Sequence, residues 1–473
     1  MRKFVVKISF LLAIIVLALT VYLDSYFRTD EAYAANMHEY VEQDKVEIAI
    51  FGSSHALNAY DPRVFENELA LNTYNFGGTS QQLTTTEVLA KMVLNEHDVR
   101  LGIIDIFSMS VWPVVNERGK SLQLHSLDYV PFSVAKSKKM MEMFDMAEWP
   151  YAFSETLRYH EKWSNTDLSG SPFTEPYIWN GIDAYKGYRT TGSGIEEKTW
   201  NEFLGVYKRK NKEEGVPEGL THGEKQSIDA IIDIFKKHET PILFVNAPSY
   251  LKDHSNADIA YVGYIKSYLS DKHIPYIDFN QLWEPLELDA TYFKDPNHVN
   301  SKGALSVSSY LTNYIRDSLK IVGNHGNTER LQNRYFHIED DFKKVLFSKK
   351  MDTLTQEKLF GITSVNLYRI EDNRIELLFE VENDTTTTQP IRLEITLTEE
   401  EQQYYPPKAI IYAKGKAVLY GEFNNQSIIS YKGVNFIPYT FNFPFDKIKK
   451  MEFFAGHQRR VKVFTIENLT TKL

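Results

Sequence analysis

The chain has 473 residues, more than one ordinary core holds, so two or three units are expected at ~100–200 residues each. Hydrophobic residues make up 43% and charged residues 25%, the balance of a globular protein, which argues against long disorder. A net charge of −10 gives no footprint for nucleic acid, and the absence of cysteine excludes disulfides, thiolate nucleophiles and Cys-ligated zinc.

Arg2, Lys3 and Lys7 precede an apolar run from Ile8 to Leu23. Crossing the hydrocarbon takes about 20 residues, and Lys7 can snorkel to the headgroups. Positive residues before the run, and Asp24, Asp30 and Glu31 after it, predict a single-pass membrane helix. The N-terminus would lie inside and the bulk of the chain outside. Ala32-Tyr33-Ala34 also fits a small-x-small cleavage site, so secretion after signal-peptide removal is the alternative. Residues 1–36 are read as this anchor or signal segment, and Met37 to Asp44 as a polar linker or first helix.

Val46 to Phe51 is a compact β-run ending at Gly52 and predicts the first buried strand. Asp61-Pro62 signals a helix start, with Asp as N-cap and Pro at N1. Leu71 to Phe76 predicts a second strand, stopped by Gly77-Gly78. A helix capped by Thr or Ser follows, to about Leu94, and Leu101 to Phe107 predicts a third strand. From about 108 to 221 the rhythm breaks. This stretch carries five of the six tryptophans and reads as an insertion or cap over the sheet edge. The rhythm returns with helices near Glu224 to Lys237 and Ala257 to Ser270, strands at Pro241 to Asn246 and Pro275 to Phe279, and a closing helix capped by Ser301. Alternating strands and helices predict a mostly parallel, three-layer α/β domain over residues 37–322.

After a polar linker from Gly323 to Asn333, the runs become β-type. They are Val365 to Ile370, Arg374 to Val381, Ile391 to Leu397, Ala409 to Tyr412, Ala417 to Tyr420, Ser427 to Tyr431, Lys450 to Phe454 and Val461 to Phe464. Residues 323–473 therefore read as an all-β accessory domain, with a small β-sandwich as the expected form.

In a parallel sheet, ligands bind beyond the carboxyl ends of the strands. Ser54 stands just past the first strand in a Gly-started turn. A serine hydroxyl needs a base, an orienting group for that base, and donors for the oxyanion. Asp295-Pro296-Asn297-His298 offers a carboxylate and an imidazole three residues apart, a spacing that lets one hold the other in a turn. His55 could touch substrate or be a polar turn residue. Asn246, near a strand end, could line the pocket, and Asp105 could bind a group at the sheet edge or serve structure.

Gly52-Ser53-Ser54-His55, Gly77-Gly78 and Asp295-x-x-His298, in that order and placement, resemble the SGNH, or GDSL-like, hydrolases over roughly Val46 to Leu319. The resemblance implies a flavodoxin-like parallel sheet, with Ser54 as nucleophile, His298 as general base and Asp295 as the orienting acid. It also implies oxyanion donors at the N–H groups of Ser54 and Gly78, or Gly77, and no cofactor. Two positions depart from the pattern. Ser53 replaces the usual Asp, and no Asn follows the third strand, where Ser108 is the nearest substitute. Both departures are similar to anchored bacterial proteins of alginate O-acetylation and of D-alanyl transfer to teichoic acid. Asn300 matches their Asp-x-x-His-x-Asn closing.

That branch implies an O-acyltransferase or esterase acting on acyl, chiefly acetyl, groups of a cell-envelope or secreted polysaccharide. It also implies a membrane O-acyltransferase partner that delivers acyl groups. The alternative is a non-catalytic glycan- or partner-binding protein of a polysaccharide-modification assembly.

Overall fold

A computed structural model describes residues 31–41, 43–106, 124–160, 183–190, 218–249 and 256–323 of the N-terminal two thirds, with a few isolated positions. In the C-terminal third it describes 344–351, 362–371, 374–381, 391–397, 416–421, 429–431, 434–442, 448–455 and 461–467. The expected membrane-crossing run, Ile8 to Leu23, lies outside these residues apart from Leu11, Leu12 and Ile15; of the rest of the 1–36 segment, Lys7 and residues 31–36 are described. Among the described residues no helix is long and apolar enough to cross a membrane.

Helix α1 (Glu31–Val41) precedes β1 (Ile48–Phe51), α2 (Ser54–Ala59), α3 (Pro62–Leu69), β2 (Thr73–Asn75), α4 (Leu83–Glu96) and β3 (Leu101–Asp105). Three short helices, α5 (Val134–Met143), α6 (Trp149–Phe153) and α7 (Glu155–Arg158), and a hairpin, β4 (Asp183–Tyr185) and β5 (Tyr188–Thr190), lie in the insertion. The rhythm resumes with α8 (His222–Lys237), β6 (Ile242–Asn246), α9 (Asn256–Asp271) and β7 (Tyr276–Asp278). A two-stranded ribbon, β8 (Phe293–Asp295) and β9 (His298–Val299), leads into α10 (Ser301–Tyr314).

Strands β2-β1-β3-β6-β7 form one sheet in that order, every neighbouring pair parallel. Side chains alternate between its faces, as period 2 requires. Ile48, Ile50, Leu101, Ile103, Leu243 and Val245 face one cluster, built with α2, α3 and α10. Ala49, Phe51, Tyr74, Ile104 and Phe244 face the other, built with α1, α4, α8 and α9. Both faces are covered, which is why the strands read as unbroken apolar runs. Each fully buried Ile or Phe contributes about 1.5–3 kcal/mol of transfer free energy. The layers are therefore the three expected.

Local signals account for the helix starts. Asp61 caps α3 by accepting from the Arg63 N–H, with Pro62 in the first turn. Thr221 and Glu224 form a capping box on α8. Helix α4 instead starts at Gln82 without a side-chain cap, so the expected Thr or Ser cap is absent there. Helix α1 starts before the polar stretch expected from Met37, and Tyr33, Met37 and Tyr40 are buried in the first core.

The hairpin covers the free edge of β2. The Asn75 N–H donates to the Lys186 carbonyl at 3.0 Å, and Asn36 Nδ2 to the Gly187 carbonyl at 3.0 Å. Lys186 Nζ and Tyr185 Oη both bond the buried Glu66 carboxylate, at 2.6 and 3.0 Å. Gly187 sits at φ +79°, and a Cβ there would lie 1.9 Å from the Asn75 carbonyl oxygen. A covered edge does not invite pairing with another chain.

The C-terminal region forms two antiparallel sheets. One has the order β10 (Lys344–Lys350), β11 (Ile362–Glu371), β12 (Arg374–Val381), β16 (Val434–Asn442), β15 (Ile429–Tyr431). The other has β14 (Lys416–Gly421), β13 (Ile391–Leu397), β17 (Ile448–Ala455), β18 (Val461–Glu467). Val64 of α3 and Leu305 of α10 pack with Tyr368, Leu378 and Phe436 of the first sheet. Strands β10 and β16 are not among the sequence-derived runs, and the run Ala409 to Tyr412 lies outside the described residues.

Candidate active site

The order 2-1-3 at the start of the sheet places a topological switch between β1 and β3. A crevice opens beyond the carboxyl ends of the strands at such a point. Ser54 follows β1 there. Gly52 makes the turn possible: it holds φ +153°, and a Cβ would lie 2.8 Å from both Ala56 Cβ and Asp105 Cβ. Ser53 caps α2 by accepting from the His55 N–H at 3.3 Å, so the position usually held by Asp serves the helix start. Ser54 is the first residue of α2, where backbone N–H groups have no partner inside the helix.

The ribbon brings the imidazole to the hydroxyl. Asp295 and His298 pair across β8 and β9. Asp295 Oδ1 accepts from the backbone N–H of Asn297 at 2.8 Å and of His298 at 3.0 Å, an Asx-type turn that fixes the ribbon's tip. The same carboxylate lies 2.8 and 2.9 Å from His298 Nδ1. His298 Nε2 lies 2.8 Å from Ser54 Oγ, across 244 positions of sequence. With Nδ1 donating to the carboxylate, Nε2 is the acceptor for the serine hydroxyl. Burial pushes the Asp295 carboxyl up, but the hydrogen bond and charge of His298, the Asn297 N–H and Lys294 outweigh it and hold it below the usual range.

Three neighbours were missed from sequence. Asn58, one turn along α2, donates through Nδ2 to the Ser54 carbonyl, and its Oδ1 accepts from Lys294 Nζ. Burial pushes the Lys294 ammonium down to about 8; Asp295 opposes this and Arg189 adds to it. Asn75 binds α2 to β2, donating to the carbonyls of Ala56 and Tyr60 at 2.8 and 2.9 Å. The available signals were the i, i+4 spacing of Ser54 and Asn58 and the adjacency of Lys294 to Asp295.

His55 is buried with its ring 4.8 Å from that of His298. Asp105 is wholly buried behind Gly52. Its Oδ2 accepts from Tyr60 Oη at 2.7 Å and the Ala247 N–H at 2.9 Å. Burial lifts its carboxyl to about 7 despite these two bonds.

Five expected site residues are engaged elsewhere in the fold or not described. The Gly78 N–H donates to the Gly52 carbonyl at 3.1 Å and the Gly77 N–H to Asn75 Oδ1 at 2.9 Å, so both amides are engaged within the fold. Packing explains the glycines instead. A Cβ on Gly78 would lie 1.9 Å from the Tyr33 ring, and one on Gly77 2.5 Å from the Leu57 nitrogen. Asn300, not Ser301, caps α10, accepting from the Gly303 N–H at 3.1 Å and donating to the Thr291 carbonyl at 2.7 Å. Asn246 donates to Asp278 at 3.1 Å, at the β6–β7 side of the sheet. Ser108 lies outside the described residues.

The fold and geometry thus describe a parallel α/β domain with a serine, a histidine and a carboxylate in hydrogen-bonded sequence at its switch point. No protein family profile and no curated relative matches the chain. Among solved structures it is similar to a two-domain esterase active on acetylated mannans, at 10% identity over 89% of this chain and 90% of that one, with a TM-score of 0.25. The same esterase co-crystallized with mannopentaose matches at 10% identity over 92% of each chain, with a TM-score of 0.28. A gut microbial diltiazem-metabolizing enzyme matches at 9% identity over 75% of this chain and 58% of its own, with a TM-score of 0.25. At these TM-scores the overlays carry no functional argument, and the reading below rests on the side chains.

Proposed function

We propose that this chain is a serine-dependent acyl-ester hydrolase or acyltransferase. The observation that carries this is the continuous set of contacts from Asp295 through His298 to Ser54 Oγ. Ser54 Oγ attacks an ester carbonyl as its proton passes to His298 Nε2. The C–O bond to the leaving alkoxide breaks, and Nε2 returns the proton to it. The acyl-serine is then resolved by water, giving hydrolysis, or by a sugar hydroxyl, giving transfer. The Ser54 N–H, at the start of α2, is the backbone donor suited to the developing oxyanion.

The proposed substrate is an acylated, chiefly acetylated, envelope or secreted polysaccharide, met outside the cell by a chain anchored through its N-terminal apolar run. The burial of Tyr33 against Gly78, with its hydroxyl 2.7 Å from Gln81 Oε1, supports an uncleaved segment, since cleavage after Ala34 would remove this core residue. A membrane O-acyltransferase as acyl supplier is part of the same proposal.

Steady-state hydrolysis of p-nitrophenyl acetate, with and without added glycan, tests the reading. Turnover that is lost in Ser54→Ala and His298→Ala supports it. Turnover that survives both substitutions, or a folded wild-type protein inert toward acetyl esters in both conditions, sinks it.

A further inference from the structure

Exposed apolar side chains are unevenly distributed in this protein. Among the described residues, and apart from Val41, the large ones fall in two places. One is the N-terminal apolar run, with Leu11, Leu12 and Ile15; the other is the insertion, from Phe132 to Trp163. Phe132 and Val134 are each 85% exposed, so almost nothing in the fold covers them. Exposed apolar residues scattered singly are ordinary, but a cluster marks an interaction surface.

Helix α5 gives the cluster a defined face. Ser133 caps the helix by accepting from the Lys136 N–H at 3.1 Å, and Met140 turns inward to the first core. Val134, Lys138 and Met141 stand at i, i+4 and i+7, on one face turned away from Met140, and all three are exposed. Lys138 lies 3.9 Å from Glu142, which leaves that face little net charge. The turn and short helices that follow add Met146, Tyr151 and Leu157.

The occupant follows from where the chain enters the fold. The first turn of α1 touches the insertion, with the Tyr33 ring 5.4 Å from that of Tyr129, three residues before Phe132. Residues 24–30 link α1 to the apolar run and span at most about 25 Å. A bilayer that takes up the run therefore lies within reach of α5. Tyr33 also packs on Gly78, whose N–H bonds the Gly52 carbonyl two residues before Ser54. One turn of α1 thus links the exposed face to the crevice.

We propose that the exposed face of α5, led by Phe132, Val134 and Met141, docks into the interfacial zone of the lipid bilayer and holds the crevice beside the membrane. This rests on the reading of the N-terminal run as an uncleaved anchor. The apolar side chains enter the boundary between headgroups and acyl chains, while Lys138 snorkels toward the phosphates. Because the face is nearly uncharged, the contact needs no anionic lipid. Docking turns a flexible tether into a fixed orientation.

The chain has no cysteine, so one introduced thiol reports on a single position. Full-length Lys138→Cys is labelled with an environment-sensitive fluorophore and reconstituted into phosphatidylcholine vesicles, with and without doxyl-labelled phosphatidylcholine as quencher. The control is Asp317→Cys, an exposed position just past α10 on the opposite face of the sheet. The expected result is quenching by about half or more at position 138, because such faces sit ~5–10 Å into the headgroup boundary, and little at position 317. Adding Phe132→Ser and Val134→Ser should remove most of that quenching while the protein still floats with the vesicles. A floating protein whose probe at 138 is unquenched overturns the docking alone, whether that probe meets water or is covered by the chain itself. Equal quenching at 138 and 317, or quenching that survives the two serine substitutions, also overturns it. A full-length protein that does not float with the vesicles refutes the anchor and the docking together.

Discussion

Replacing Asp295 by asparagine keeps the shape of the ribbon's tip and removes its charge. The carboxylate accepts from two backbone N–H groups through Oδ1 and faces His298 Nδ1 with both oxygens, at 2.8 and 2.9 Å. An asparagine oxygen can keep the two backbone bonds, so the turn survives. Its NH2 group then faces Nδ1 and turns that nitrogen into an acceptor. Nε2 consequently carries the proton and donates to Ser54 Oγ, the reverse of what a base does. In a fully buried triad this tautomer trap costs about 10,000-fold in kcat. The Asp295 side chain is 41% exposed, so solvent screens part of its effect. The expected loss is about 100- to 1,000-fold, roughly 3–4 kcal/mol at ~1.36 kcal/mol per tenfold. The assay is kcat for p-nitrophenyl acetate at pH 7–8, with circular dichroism to confirm the fold. A folded Asp295→Asn protein within about threefold of wild-type kcat would refute this account of His298.

Three further predictions concern the frame around the site. Gly78→Ala should lower stability by about 1–3 kcal/mol in denaturant titration, because the new methyl meets the Tyr33 ring, while kcat of the folded fraction holds; unchanged stability would contradict the packing account of this glycine. Arg63→Met should cost about 3–5 kcal/mol, since it strands the buried Asp61 carboxylate and removes a guanidinium lying 5.8 and 5.7 Å from the Tyr185 and Tyr188 ring centroids; a change under about 1 kcal/mol would contradict it. Asp105 has its folded pKa raised by burial to about 7, so the native state retains a proton that the unfolded chain releases. Its contribution is fully present below the unfolded value near ~3.9 and is lost as pH rises toward 7. Relative to wild type, Asp105→Asn should therefore gain stability between pH 4 and pH 8, and a pH-independent difference would show that Asp105 does not titrate in this way.

Much of the α/β domain was legible because its signals are local. The apolar run into Gly52, the Asp61-Pro62 start and the Thr221–Glu224 box each specify an element without distant partners. Ser54, Asp295 and His298 stood out through the order and placement of their two motifs with the glycine pair between them, and the structure brings the three side chains within hydrogen-bond reach. The roles that depend on distant packing were not. Nothing near Gly78 in sequence announces Tyr33, and nothing near Asn58 announces Lys294, 236 positions away. Asn300 read as a site residue because it matches the Asp-x-x-His-x-Asn closing of the resembled proteins, whereas its side chain caps α10. Strand β16 was missed because Pro438 interrupts it, yet the strand pairs with β12 and β15 on either side. The insertion hairpin has strands of three residues each, too short for period-2 alternation to stand out.

The measurement that bears most directly on the central claim is intact-protein mass spectrometry within the first turnover of p-nitrophenyl acetate. The account predicts one acetyl-sized adduct, mapped by peptide analysis to Ser54, absent in Ser54→Ala and formed far more slowly in His298→Ala. An adduct that persists in Ser54→Ala, or ester cleavage by the folded wild-type protein through a pathway that never acylates Ser54, would contradict it.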